Sequence, residues 1–222
     1  MSRTFKIERE PYEYDEFIYT KEEFTFEPGV TVLVGCNGIG KTTLLKQIER
    51  HLEKQEIPYL AYDNLKDGGD TSLTRALFHG AVDLAGSLFC SSEGEAIVTN
   101  IANRAGQIGA FFRKEVPNAR EVWLIFDAID SGLSVDNIVE IKEQLFSVIF
   151  KTNPGKDIYI IVSANEYEMC RGERCFDARN GEYIEFKTYD QYRRFVLKSR
   201  KQKDNRRTKP RKPRKRGNRN EE

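Results

Sequence analysis

Short apolar runs alternate along the chain with longer segments in which apolar residues recur every three or four positions. The short runs are rich in β-branched and aromatic residues, which favours buried strands. They cover 31–35, 57–62, 121–126 and 158–163. The segments with helical periodicity cover 41–54, 71–90, 93–115 and 135–151. Buried strands separated by helices indicate an α/β fold with a mostly parallel sheet.

The end of the chain has a different character. Asn180-Gly181 separates two strand-like pieces, which predicts a C-terminal β-hairpin. From residue 198 onward the sequence is mainly Lys, Arg, Asn and Pro, which cannot bury enough surface to fold alone. We therefore predict an ordered domain over 1–197 and a disordered basic tail over 198–222.

Charge is divided unevenly between these two parts, although the net charge of the chain is only +1. The predicted tail holds 13 Lys/Arg and 3 Asp/Glu, whereas the other 197 residues hold 23 basic and 32 acidic residues. Flexible Lys/Arg with interspersed Pro binds phosphate backbones without reading bases. We expect nucleic acid to bind between Lys198 and Arg219. Association of the tail with its own acidic domain, or with a membrane or another acidic partner, is the alternative.

Targeting and redox signals are sparse. The first residues contain no apolar signal-peptide region, and no run approaches the roughly 18 apolar residues of a membrane helix. The cysteines at 36, 90, 170 and 175 are too few and too scattered for a disulfide framework. We expect a reduced cytoplasmic protein with no membrane partner.

A glycine-rich loop follows the first predicted strand and precedes a predicted helix. The segment from Gly35 to Thr43 has the pattern G-x4-G-K-T in the strand–loop–helix context that gives it meaning. Glycines let backbone N–H groups face an anion, and the helix N-terminus adds a positive dipole end. Lys41 would contact the β- and γ-phosphates of a nucleotide, and the Thr42 hydroxyl would ligate Mg²⁺. The predicted phosphate-binding residues are Gly35, Asn37, Gly38, Gly40, Lys41, Thr42 and Thr43.

A second candidate follows the strand at 121–126. Asp127 comes directly after this strand and so lies at the carboxyl edge of a parallel sheet. A nucleotide-bound Mg²⁺ receives a carboxylate at that edge in P-loop proteins. We expect Asp127 to bind the metal together with Thr42.

Together these segments resemble ABC-type P-loop ATPases, including the branch of SMC and RecF proteins. The loop Gly-Cys-Asn-Gly-Ile-Gly-Lys-Thr-Thr-Leu-Leu is similar to the nucleotide loop of that family. Residues 125–134 resemble the strand of that family that is followed by its D-loop, and 90–95 resemble its signature, with Ser92 and Gly94 at the Ser and Gly positions. The resemblance covers about residues 3–188. The 26 residues at 65–90 are too few for a long coiled coil, so the chain resembles an ATPase head without arms.

The resemblance implies a function, a partner and further site residues. ATP and Mg²⁺ would be the cofactors. A small helical subdomain would carry Ser92 and Gly94, which would reach the γ-phosphate held by a second copy, so that ATP joins a homodimer. Ser92 and Glu95 also fit an S-x-x-E capping box at a helix start. An aromatic side chain near the N-terminus would stack on adenine, and Tyr12, Tyr14, Phe17 and Tyr19 are available.

Three positions depart from the family pattern. Ala128 stands where the family has a water-polarising glutamate, and loss of a general base typically costs about 10²–10⁴ in rate. Asn165 stands in the region of the switch histidine and Asn64 in that of a glutamine. The resulting catalytic set is Lys41, Asp127 and Asn165, and the metal set is Thr42, Asp127 and Asn64.

These departures leave two functions open. The first is a slow ATP hydrolase that dimerises around Mg·ATP and contacts nucleic acid through its tail, with Asp130, Glu166 or Glu168 replacing the missing base. The second is a non-hydrolysing, ATP-dependent dimerisation switch or nucleic-acid-binding module. Ala128 is the residue that separates the two.

Overall fold

The computed structural model describes residues 1–9, 17–63 and 105–207. Its strands are β1 (Arg3–Lys6), β2 (Glu23–Phe26), β3 (Gly29–Val34), β4 (Tyr59–Asp63), β5 (Glu121–Asp127), β6 (Asp157–Ser163), β7 (Arg174–Asp177) and β8 (Glu182–Ile184). Its helices begin with α1 (Lys41–Lys54) and α2, where residues 105–110 continue into a π-helical turn (Phe111–Glu115). The consecutive segments Val135–Glu140, Ile141–Phe146 and Ser147–Thr152 form α3, followed by α4 (Tyr167–Cys170) and α5 (Tyr189–Arg207).

The described strands form a six-stranded sheet and a separate two-stranded one. The large sheet has the order β4-β5-β6-β3-β7-β8, in which all neighbours are parallel except β7 and β8. That last pair is antiparallel and flanks Asn180-Gly181, as the hairpin prediction required. The small sheet pairs β1 with β2. This is an α/β architecture with a mostly parallel sheet, compatible with a P-loop NTPase.

The parallel strands read as continuous apolar runs because both of their faces are buried. On one face Trp123, Ile125 and Ile161 pack with α1 and with aromatic residues of β1 and β2. On the other face Leu124 and Ile160 pack with residues of α2 and α3. The four predicted strands and the helix at 41–54 are therefore confirmed, and the sheet holds the carboxyl ends of β3, β5 and β6 along one edge.

The end of the ordered domain was predicted wrongly. α5 continues to Arg207, so residues 198–207 are helical although they were assigned to the disordered tail. The cause is a short apolar anchor, Tyr192 with Phe195 and Val196, which packs on the domain. Lys, Arg and Gln are good helix formers and extend the helix beyond that anchor. Residues 208–222 and the segments at 64–104, including the predicted signature, lie outside the described residues.

Candidate functional site

The loop between β3 and α1 has the backbone that its glycines allow. Gly35, Gly38 and Gly40 have φ angles of 141°, 74° and 110°, which disfavour residues with a side chain. A Cβ on Gly40 would lie 2.5 Å from Ile18 Cγ2. The Tyr19 hydroxyl donates to Gly40 O at 2.8 Å, so Ile18 and Tyr19 both contact Gly40 and hold the end of the loop in place.

Lys41 carries the positive charge of the loop from a buried position. Its ammonium donates to Gly35 O at 2.8 Å and to Asn165 Oδ1 at 3.1 Å. Burial lowers the pKa of Lys41, and the nearby charges of Asp130 and Asp127 oppose that shift. A cation enclosed by a glycine loop at a helix start fits the phosphates of a nucleotide.

Asn165 reaches Lys41 because β6 lies between β3 and β5 in the sheet. The backbone around it is tied on two sides. The N–H groups of Asn165 and Glu166 donate to Asp130 Oδ2 at 2.6 and 2.7 Å, and the Tyr192 hydroxyl donates to Asn165 O at 2.5 Å. Asn165 is therefore positioned by the loop after β5 and by α5, and it contacts the loop lysine directly.

Asp130 is almost fully buried, with 1% of its surface exposed. Burial raises its pKa, while the two amide donors counteract that shift. Its second oxygen, Oδ1, is buried and has no hydrogen-bond partner among the described residues. A carboxylate that accepts two backbone amides in the interior acts as a tether for the β6–α4 connection.

Asp127 ends β5 and is held by a residue that sequence reasoning missed. The Ser163 hydroxyl, at the end of β6, donates to Asp127 Oδ1 and accepts the N–H of Ala128 at 2.8 Å. The available signal was a polar residue closing an otherwise apolar strand. Asp63 ends β4 and lies beside Asp127 in the strand register. Asn64, the predicted metal residue, lies outside the described residues.

Ala128 has a left-handed backbone with φ of 54°. Alanine is disfavoured there by about 1 kcal/mol or more. The Ser163 hydrogen bond holds it in that conformation. The side chain at the position of the family's glutamate is therefore a methyl group on a constrained turn.

The described residues narrow the choice of adenine-stacking aromatic. Tyr19 has no exposed surface, packs edge-on against Phe24 and anchors Gly40, so its ring is not available for stacking. Phe17 is 45% exposed and lies 4.3 Å below the Arg9 guanidinium. Tyr12 and Tyr14 lie outside the described residues.

The basic segment, residues 198–222, begins on α5 and contacts the phosphate loop there. Cys36 N–H donates to the Ser199 hydroxyl at 3.2 Å, and the Lys203 ammonium donates to Asn37 O at 2.7 Å. Sequence reasoning missed both residues because they were assigned to a disordered tail. The helical spacing of the apolar residues Tyr192, Phe195 and Val196 was the signal that could have extended a helix to Ser199, which lies on the same face.

Two further observations bear on cofactors and on membranes. Within 1–9, 17–63 and 105–207, no three His, Cys, Asp or Glu side chains are grouped so as to hold a metal. Mg²⁺ usually takes one or two protein ligands and completes its shell with phosphates and waters, so a nucleotide-bound Mg²⁺ does not require such a group. None of the helices in the same ranges is long and apolar enough to cross a membrane.

Comparison with known proteins gives a partial match. No family model matches the chain. A stretch of 64 residues is 41% identical to the DNA replication and repair protein RecF of Arthrobacter sp. (strain FB24). The match spans 26% of this chain and 15% of that RecF. Together with the α/β sheet it fits the coarse class of ABC-type P-loop ATPases.

Proposed function

We propose that this chain binds Mg·ATP in the loop from Gly35 to Thr43. The observation that carries the proposal is the buried Lys41 ammonium, which lies between Gly35 O and Asn165 Oδ1 inside a loop of three positive-φ glycines. Bound Mg·ATP would supply the phosphates and the metal. Lys41 and the loop N–H groups would bind the phosphates, and Thr42 and Asp127 would ligate the metal.

The direct test is titration with a fluorescent ATP analogue and with unlabelled ATP as competitor. Lys41→Ala should abolish binding, because it removes the enclosed cation. Lys46→Ala is the matched control, since Lys46 lies on α1 as well but is exposed. Equal binding by the wild type and Lys41→Ala, or no binding by the wild type, would reject the proposal.

We further propose that hydrolysis is slow. Ala128 offers no base, and Asp130 is only 1% exposed and accepts two backbone amides, so neither residue can activate water readily. Glu166 and Glu168 are the other acidic candidates, and Glu166 directly follows Asn165, which contacts Lys41, and is exposed. A measurable rate of phosphate release that is lost in Lys41→Ala and reduced in Glu166→Gln would support a slow ATPase.

The constrained methyl group of Ala128 favours a second candidate function, a switch that binds ATP without turning it over. Its test uses Ala128→Glu, with Ala128→Gly as the control for the left-handed backbone. No phosphate release by the wild type with intact ATP affinity would establish the switch. A brisk wild-type rate that Ala128→Glu does not raise would exclude it.

Dimerisation belongs to the same proposal and rests on residues outside the described ranges. The resemblance of residues 90–95 to the ABC signature, with Ser92 and Gly94 at its Ser and Gly positions, supports an ATP-dependent homodimer. Light scattering with and without ATP should show a doubling of mass that Ser92→Arg prevents. A monomer at saturating ATP and high protein concentration would reject it.

The basic segment is the proposed nucleic-acid contact, and the fold changes how it should be removed. Deleting 198–222 would also delete the loop contacts of Ser199 and Lys203, so the deletion should begin at residue 208. Residues 208–222 hold 7 Lys/Arg and 2 Asp/Glu. Their loss should weaken DNA or RNA binding and its salt dependence while ATP affinity is kept. Unchanged nucleic-acid affinity would reject this role.

A further inference from the structure

We propose that Lys203 is a second phosphate-binding cation of the loop, presented by α5 and outside the loop motif itself. The inference rests on the proposed nucleotide function and deepens it. Its basis is the position of the Lys203 ammonium, which donates to Asn37 O at 2.7 Å. The same ammonium lies 3.5 Å from the point where a Cβ on Gly38 would be.

The docking of α5 on this region is specific rather than a chance contact of a long side chain. Ser199, one turn before Lys203, is 6% exposed, and its hydroxyl accepts the N–H of Cys36 at 3.2 Å. Gln202 accepts a hydrogen bond from Arg179 Nη1 at 2.9 Å. Three residues within one and a half turns therefore hold α5 against the phosphate loop and the β7–β8 hairpin.

α5 also touches the opposite side of the site. Tyr192 donates to Asn165 O, and Asn165 in turn contacts Lys41. Tyr192 and Lys203 are eleven residues apart, which is about 16 Å along a helix. The helix therefore contacts Asn165 near one end and Asn37 of the phosphate loop near the other.

Lys203 has the chemistry of a phosphate ligand in this position. An ammonium has three donors, and among the described residues that of Lys203 makes one hydrogen bond, to a loop carbonyl. Lys41 is held in the same manner, by the carbonyl of Gly35. A triphosphate in the loop adds negative charge next to both ammoniums, and a short shift of the flexible Lys203 side chain brings it to a phosphate oxygen.

The G-x4-G-K-T pattern does not include Lys203, and a solvated basic tail would not hold its ammonium against the loop carbonyl of Asn37. Lys201 lies on the same helix two residues earlier and is exposed. The two lysines carry the same charge at nearly the same distance along the chain. Comparing them separates a direct phosphate contact from the general field of the basic segment, which salt screens.

The experiment measures ATP and ADP affinity of the full chain by competition with a fluorescent nucleotide. Lys203→Met, which keeps the aliphatic stem, should weaken ATP binding by about 10- to 100-fold, the usual effect of losing a charged hydrogen bond. Lys203→Arg should retain most of the affinity. Lys201→Met should change it less than about threefold. Thermal unfolding without nucleotide gives an independent readout of whether the variants remain folded.

The outcomes separate this inference from the function on which it rests. If Lys41→Ala abolishes binding and Lys203→Met binds ATP as Lys201→Met does, Lys203 only docks the helix and the inference is wrong. If Lys203→Met lowers the melting temperature, a loss of affinity counts only when Lys203→Arg restores binding, and failure to restore it overturns the inference. If the wild type binds no nucleotide, the proposed function and this inference fail together.

Discussion

Asp130 offers the sharpest test of how the site is held in place. Asp130→Ala removes the acceptor of two backbone amides, Asn165 N–H at 2.6 Å and Glu166 N–H at 2.7 Å. An unsatisfied buried donor costs about 1–3 kcal/mol. Because water can partly reach the N–H of the exposed Glu166, we expect the free energy of unfolding to fall by about 2–4 kcal/mol. Since the side-chain oxygen of Asn165 contacts Lys41, the variant should also bind ATP more weakly.

Urea unfolding followed by Trp123 fluorescence provides the measurement, because Trp123 is the single tryptophan of the chain and is fully buried against Tyr159. Asp130→Asn keeps an acceptor oxygen and should lose clearly less stability than Asp130→Ala. Asp204→Ala removes an exposed ion pair with Arg200 at 3.9 Å and should change stability by less than about 0.5 kcal/mol. If Asp130→Ala were as stable as Asp204→Ala, the carboxylate would not be the tether.

Three further predictions concern the same site. Tyr19→Phe removes the hydrogen bond to Gly40 O and should cost about 1 kcal/mol in urea unfolding, with weaker ATP binding and no change in secondary structure by circular dichroism. Burial raises the pKa of Asp130 above its ordinary value of 3.8, so the part of the stability that is linked to its protonation is complete below that pH and is lost as the pH rises through the folded-state pKa, whereas the two amide hydrogen bonds remain. The wild type should accordingly lose stability relative to the non-titrating Asp130→Asn as unfolding is measured from pH 4 upward; a constant difference would contradict this. Ser163→Ala removes the donor to Asp127 Oδ1 and the acceptor of Ala128 N–H, so Mg²⁺-dependent ATP binding should weaken several-fold while binding in EDTA stays the same.

Local sequence patterns were sufficient to predict the central strands, the first helix and the phosphate loop. Strands β3 to β6 and helix α1 follow from apolar runs and helical periodicity, because in a parallel sheet covered on both faces burial dictates residue type directly. The glycine loop is equally local, since its conformation depends on which residues tolerate positive φ. The placement of Asp127 at the sheet edge follows from strand length alone.

Contacts between distant segments needed the tertiary structure. Strand order is not written in any one strand, so the sequence could not show that β6 lies between β3 and β5 and brings Asn165 to Lys41. Ser163 gained its role from the same neighbourhood, 36 residues from Asp127 in the chain.

The basic segment shows the difference most clearly. Its composition indicated a disordered tail, because Lys and Arg supply little apolar surface of their own. A few apolar residues upstream dock α5, and the helix then carries Ser199 and Lys203 onto the phosphate loop, more than 160 residues away in sequence. Strands β3 to β6, helix α1 and the glycine loop were predictable, because each depends on residues that are neighbours in the chain. The side chains that surround the loop were not, because only packing brings separate segments within hydrogen-bonding distance.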